Sequence, residues 1–426
     1  VSCGSVKSGE EVVAASRDSK VVVAYVTSWS EVMPDPQYMT HINYAFGHVN
    51  ESFNGVKIDN EERLRQIVDL RKQKPELKVL LSIGGWGSGR FSEMAANDEY
   101  RRAFAADCDR VVKEFALDGI DIDWEYPTSS MANISSSPDD TENFTLLMQD
   151  IRAAIGNEKE LTLATVASAR YIDFKAILPS VDFVNIMAYD MASAPKHHSA
   201  LYPSGHSGDI TSDGAVTAHL KAGVPPSKLV MGMPFYGRGG DGYPSFQDYN
   251  KVGNTDTQYT EKWDEVAQVP YLADKNDTLV FGFENPRSLA IKCQYILDKD
   301  LLGGMYWDYS GDNEQGDLRR TVAENLLGKP HKAKVLVLTE RGGQHGGFTD
   351  AGLRWLAAEG AKGNFSITEI NNARNITEAY LSQFSLVIQL DFPPYTWPKE
   401  AEDAFVKYIE EGRGGWIGFH HATLLG

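Results

Sequence analysis

Asp118-Gly119-Ile120-Asp121-Ile122-Asp123-Trp124-Glu125 is the stretch on which the fold turns. Its alternation reads as a strand, and successive strand side chains point to opposite faces. Asp121, Asp123 and Glu125 therefore share one face, while Ile120, Ile122 and Trp124 share the other. Acids two apart on a strand lie ~7 Å from each other, close enough for like charges to raise at least one pKa and for a proton to be shared. The plainer reading, a half-exposed strand with a solvated acidic face, needs a solvent-facing side. The segments around it take that side away.

Outward from this strand, β-branched runs alternate with helical patterns. They predict strands at Val21–Thr27, His41–Gly47, Lys78–Ile83, Gly119–Trp124, Leu161–Ala167, Val181–Tyr189, Leu229–Phe235 and Gly304–Trp307. Between them, Phe104, Cys108, Val111, Val112 and Phe115 recur at helical spacing, as do Phe144, Leu147, Met148, Ile151 and Ile155. Asn285-Pro286 supplies a cap followed by Pro at the first helical position, with Leu289, Cys293, Ile296 and Leu297 as the apolar face. Strand–helix alternation demands a parallel sheet, and a count of eight favours closure into a (β/α)8 TIM barrel over an open, doubly wound sheet. A parallel barrel strand has no solvent face, so three inward acids near its carboxyl end cost stability unless they serve chemistry. Barrel active sites sit at that end.

The chain has 426 residues, more than the roughly 250 of a single barrel, so a second unit is expected. A net charge of −18 repels phosphate backbones and argues against a nucleic-acid partner. Nineteen Tyr and eight Trp offer flat apolar faces with polar tips, suited to sugar rings as well as to core packing. No apolar run approaches the ~20 residues of a membrane-spanning helix. Val1-Ser2-Cys3-Gly4 looks like the end of a bacterial lipobox, so a lipid anchor through Cys3, on a disordered tail of residues 1–20, is one expectation and a stray thiol the other. Cys108 and Cys293 fall on helices at opposite sides of an eight-fold ring and are expected to stay unpaired.

The strand fits the DxxDxDxE signature of glycoside hydrolase family 18, the chitinases, and the resemblance runs from about Lys20 to Leu327. Ser82-Ile83-Gly84-Gly85-Trp86 resembles the family's SxGG motif, and Met187-Ala188-Tyr189-Asp190 its MxYD. Gly232 to Arg238 and Gly303 to Trp307 resemble the ends of its seventh and eighth strands. The resemblance implies a secreted or cell-surface chitinase that cleaves β-1,4 linkages in chitin or N-acetylglucosamine oligosaccharides with retention. In that scheme Glu125 protonates the glycosidic oxygen. Asp123 orients the 2-acetamido group whose carbonyl oxygen attacks the anomeric carbon, Asp121 holds Asp123, and Tyr189 donates to the acetamido oxygen. Trp307 forms a floor beneath the sugar, Trp86 stacks on the leaving-group side, and Asp190 and Arg238 bind sugar hydroxyls. Tyr126, Met187 and Tyr236 join the substrate-binding set, as do Tyr25 and Phe46, although these last two read more readily as core. Ser82, Gly84 and Gly85 shape the strand end so that backbone and acids can approach. Nothing in the motifs calls for a cofactor or a metal.

Two rival functions share part of this pattern: an endo-β-N-acetylglucosaminidase acting on protein-linked glycans, and a chitin-binding lectin. The presence of Glu125 speaks against the lectin. The stretch between Arg238 and Pro286 reads as an enlarged loop after the seventh strand, short for the α+β insertion of larger family members, with Trp263-Asp264 and Pro270-Tyr271 resembling fragments of it. The barrel is thus expected over residues 21–327 and a linker over residues 328–332.

From Ala333 the strand–helix pattern restarts, with strands at Lys334–Thr339, Phe365–Ile370, Phe384–Leu390 and Gly415–His420. This flavodoxin-like α/β unit, residues 333–426, resembles the first half of trehalose-utilisation-type domains with a glutamine-amidotransferase-like fold, through its first strand, the loop Gly342 to Gly347 and Phe419-His420-His421-Ala422-Thr423. Truncation is the expectation for its missing half. No cysteine follows Cys293, so an amidotransferase nucleophile is absent from this stretch. His420 and His421 read as structural or exposed, with metal or sugar binding as the alternative.

Overall fold

The computed structural model describes residues 20–240, 242–252, 258–328, 333–339, 346–363, 365–390 and 397–419. Cys3, the linker from residue 329 to 332, most of the Gly342 to Gly347 loop, and His420 and His421 lie outside them. The chain divides into two compact units, Val1–Gly328 and Lys329–Gly426.

In the first unit eight parallel strands close on themselves: β1 (Val21–Thr27), β2 (His41–Val49), β3 (Lys78–Gly84), β4 (Gly119–Asp123), β5 (Glu160–Val166), β6 (Phe183–Met187), β7 (Leu229–Pro234) and β8 (Gly303–Trp307). Each pairs with its sequence neighbour, and β8 returns to β1 with Val23 opposite Met305. Alternation divides each strand between two packing layers. On β1, Val22, Ala24 and Val26 join the large outer cluster against the helices, whereas Val23 and Tyr25 join an inner cluster with Phe46, Phe183, Val230 and Met305. The same alternation on β4 sends Ile120 and Ile122 outward.

The helices begin where the sequence supplies partners for their unpaired amides. Asn97 accepts from the Glu99 and Tyr100 amides and opens helix Asp98–Glu114. Asn285 and Ser288 form a reciprocal capping box, with Pro286 at the first helical position, and open helix Pro286–Asp298. Cys108 and Cys293 are buried and free.

The stretch after β7 is the enlarged connection expected, and it is folded. It holds a five-stranded antiparallel sheet in the order Gln247–Asp248, Tyr236–Gly239, Leu279–Gly282, Val269–Ala273 and Thr260–Asp264. These strands have two to five residues each, too short to show a clear period in the sequence. The fragments noted there fall on its outer pair, where Trp263 lies opposite Pro270.

The second unit carries a parallel four-stranded sheet in the order Phe365–Ile370, Ala333–Leu338, Leu386–Gln389, Gly415–Gly418, with helices between its strands. Its strands interleave with Gly346–Gly363, Glu378–Leu381 and Lys399–Glu410, the open α/β arrangement expected. No helix among the described residues is long and apolar enough to cross a membrane.

Candidate active site

The three acids of β4 occupy a gradient of burial. Asp121 is fully buried and Asp123 nearly so, while Glu125, just beyond the strand, reaches part-way into solvent. Asp121 is held by four neighbouring strands. Tyr25 Oη and Ser82 Oγ each donate to its Oδ2 at 2.8 Å, and Thr162 Oγ1 and Asn185 Nδ2 donate to its Oδ1 at 2.6 and 3.4 Å. Burial raises the Asp121 pKa against the pull of these donors. Asp123 is driven well above the usual carboxylate range by burial first, then by the charges of Glu125 and Asp121. Its Oδ1 is buried without a hydrogen-bond partner among the described residues. The carboxyl of Glu125 is pushed up to about 7, by burial first and with the charge of Asp190 adding, while a hydrogen bond with Tyr126 opposes the shift.

Close approach between β3 and β4 depends on glycine. Gly84 has φ +132°, and a Cβ there would lie 1.9 Å from the Asp123 carbonyl oxygen. Gly85 then donates its amide to that same carbonyl at 2.8 Å. Ser82, two residues back, reaches Asp121 as described. Small residues at this strand end thus let the acid strand sit against its neighbour.

Above the acids opens a cleft of about 610 Å³, at the carboxyl ends of the strands. The β8 terminus places Trp307 over the inner cluster, stacked on Phe46 (centroids 5.6 Å, interplanar 19°) and tilted against Tyr25 at 5.6 Å. Trp86, 62% exposed, meets Tyr126 edge-on at 6.5 Å. From β6 and its end come Met187, Tyr189 and Asp190. Tyr189 Oη donates to Met305 Sδ at 3.7 Å, and its pKa rises through burial and then the charge of Asp123. Asp190 and Arg238 both line the cleft and bond each other through Nε to Oδ1 at 2.6 Å and Nη2 to Oδ2 at 3.0 Å. Although burial works upward on Asp190, hydrogen bonds and positive charge from His198 and Arg238 hold it well below the usual carboxylate range. Tyr236 lies against Tyr189 on one side and stacks on Phe246 at 4.7 Å on the other.

Every catalytic or substrate-binding residue named from the sequence lines this cleft except Asp121, which lies beneath it as a support. No direct bond joins Asp121 to Asp123 among the described residues, so any influence of one on the other is electrostatic. The cleft also contains Trp29, Met131, Arg170, Tyr171 and Phe246, which the sequence reading missed. Trp29 follows β1 by two residues and Arg170 follows β5 by four, so their place just past a strand end was the available signal. Tyr171 stacks on Tyr126 at 5.4 Å, a contact between two loops that no local pattern encodes. Among the described residues no group of three or more His, Cys, Asp or Glu is arranged to hold a metal.

A closed parallel barrel with a raised, part-exposed carboxyl in an aromatic cleft at its carboxyl face defines a glycoside hydrolase. The chain belongs to the glycosyl hydrolases family 18, whose profile matches residues 21–312, and residues 334–425 match that of trehalose utilisation domains. It is 30% identical over 409 residues to chitinase A1 of Niallia circulans, covering 71% of this chain and 58% of that one. Mouse chitotriosidase-1 is 31% identical, over 69% of this chain and 74% of that relative. Among solved structures, a family 18 N-acetylglucosaminidase from Paenibacillus barengoltzii superposes with a TM-score of 0.67 at 32% identity, covering 72% of this chain and 99% of that one.

Proposed function

We propose that this protein is a chitinase that hydrolyses β-1,4 linkages between N-acetylglucosamine units by substrate-assisted, retaining catalysis. The observation that carries the reading is the pairing of Glu125, whose pKa of about 7 keeps a proton available at neutral pH, with a buried Asp123 whose Oδ1 has no hydrogen-bond partner among the described residues. Glu125 gives its proton to the glycosidic oxygen as the bond from that oxygen to the anomeric carbon breaks. The carbonyl oxygen of the 2-acetamido group closes on the same carbon, while Asp123 holds the acetamido N–H and Tyr189 its oxygen. Water, deprotonated by the Glu125 carboxylate, then attacks the anomeric carbon and breaks its bond to the acetamido oxygen, with net retention. Trp307 is the floor on which the distorted sugar rests, Trp86 stacks on the leaving-group side, and Tyr126, Met187, Tyr236, Tyr25 and Phe46 complete the walls. The Asp190–Arg238 pair offers its remaining polar atoms to sugar hydroxyls.

A polymeric substrate cannot enter a cell, which supports an exported enzyme. A second reading, removal of single terminal N-acetylglucosamine units, is favoured by the name of the Paenibacillus neighbour. Products from N-acetylglucosamine oligomers of defined length separate the two: disaccharide and longer products support the chitinase, monosaccharide from the outset the alternative. Glu125→Gln tests the chemistry. It should lose at least the roughly 10²–10⁴ of general acid catalysis while binding survives, and near-unchanged turnover would remove Glu125 from its role.

A further inference from the structure

Residues 84–89 read Gly, Gly, Trp, Gly, Ser, Gly, so apart from Trp86 the segment carries one side chain through which it can be held, that of Ser88. Three of its glycines, Gly84, Gly85 and Gly87, have positive φ, and a Cβ at Gly87 would find only the Ala132 carbonyl oxygen within 4 Å. A segment so rich in glycine has many backbone conformations to lose on ordering. Yet Trp86 projects from its middle, 62% exposed, over the cleft.

The hold on Ser88 comes from the barrel. Ser88 Oγ lies 2.8 Å from His48 Nδ1, and His48 Nε2 lies 2.8 Å from Asp59 Oδ2. His48 is on β2, and Asp59 directly follows Val56–Ile58, the short strand paired antiparallel to the end of β2. Asp59 is itself fixed at both backbone groups: its amide donates to the Phe46 carbonyl at 3.0 Å, and its carbonyl accepts from Tyr44 Oη at 2.9 Å. A carboxylate acceptor at Nε2 selects the tautomer with the proton there and leaves Nδ1 to accept from the Ser88 hydroxyl. The chain of bonds Asp59–His48–Ser88 therefore runs from rigid sheet to the glycine segment.

From this geometry we infer that His48 is a positioning residue for substrate binding: it ties Ser88 to Asp59 and so holds Trp86 ready to stack on a sugar ring. The inference rests on the reading of Trp86 as a sugar platform and adds to it the device that keeps the platform ordered before substrate arrives. Without the tether, binding bears the cost of ordering the segment, which for one immobilised side chain and its loop corresponds to about three- to tenfold in affinity.

The test uses the N-acetylglucosamine hexamer and five variants of the full chain, each checked for an unchanged melting temperature. In His48→Ala and in Ser88→Ala, KM should rise about three- to tenfold with kcat at saturation little changed. His48→Asn keeps an acceptor for Ser88 and should recover part of the loss. The decisive variant combines His48→Ala with Trp86→Ala and should match Trp86→Ala alone, since His48, whose ring also lies 6.3 Å from that of Phe46, is inferred to act through Trp86. An additive double variant, or an unchanged KM in His48→Ala beside a raised KM in Trp86→Ala, overturns the tether and leaves the platform standing. An unchanged KM in Trp86→Ala overturns the platform and the tether together.

Discussion

The Arg238 guanidinium grips Asp190 with two hydrogen bonds, Nε to Oδ1 at 2.6 Å and Nη2 to Oδ2 at 3.0 Å. A planar fork on a carboxylate is the geometry in which Arg differs most from Lys. With His198 it keeps Asp190 ionised at the edge of the cleft, and that negative charge is one of the influences raising the pKa of Glu125. The pair thus acts on the acid at a distance, beyond any contact with sugar.

Replacing Asp190 with Asn removes the charge and keeps the shape. With less negative charge nearby, ionisation of Glu125 becomes easier and its pKa falls. A general acid is active only while protonated, so the alkaline limb of kcat/KM should move to lower pH and activity at pH 7 should drop. A pH profile checks this. A limb that stays in place or moves upward contradicts the coupling.

Glu125 also carries a signature in stability. Its folded pKa of about 7 lies above the ordinary glutamate value of 4.5, so between those limits the folded state binds more protons than the unfolded one. Stability from this group is therefore full below about pH 4.5 and is lost as pH rises through 7. Glu125→Gln removes that dependence. Its melting temperature should exceed the parent's at pH 8, by the equivalent of about 1–3 kcal/mol once solvent screening of a part-exposed side chain is allowed for, and the gap should close by pH 4.5. Thermal melts of both proteins across this range test the sign directly.

Trp307 separates floor from core. Its ring packs on Phe46 and Tyr25 and also meets Trp29 at 6.4 Å, so truncation to Ala exposes an aromatic cluster as well as removing a sugar contact. A stability loss of about 1–3 kcal/mol is expected, below that of a fully buried aromatic because the ring is only half-buried. The loss of kcat/KM should be far larger than that loss predicts from the folded fraction alone. Collapse of the melting temperature with normal kinetics in the remaining folded protein would make Trp307 core only.

How much of this was legible in the sequence depended on whether the controlling contacts were local. The face shared by Asp121, Asp123 and Glu125 follows from a period of two, and the helix start at Asn285-Pro286 from capping chemistry, so both could be read directly. The antiparallel sheet after β7 could not, because a two-residue strand such as Gln247–Asp248 exists only through its pairing with Tyr236 and Gly237. The Asp190–Arg238 bond joins residues 48 apart, and the Tyr126–Tyr171 stack joins two loops. Such contacts are set by barrel closure, which brings distant strand ends together after the local patterns have been satisfied.

The central claim, that the substrate's own acetamido group is the nucleophile, is supported by where the acids stand. Asp123 ends β4 and Glu125 lies two residues further along the chain, ~7 Å on in an extended backbone, whereas an enzyme nucleophile in a two-carboxylate retaining site lies about 5 Å from the acid across the sugar ring. The measurement is kcat/KM on an aryl chitobioside against the aryl cellobioside of the same linkage, which carries hydroxyls in place of the acetamido groups. The account predicts turnover of the first alone. Comparable cleavage of both would contradict it.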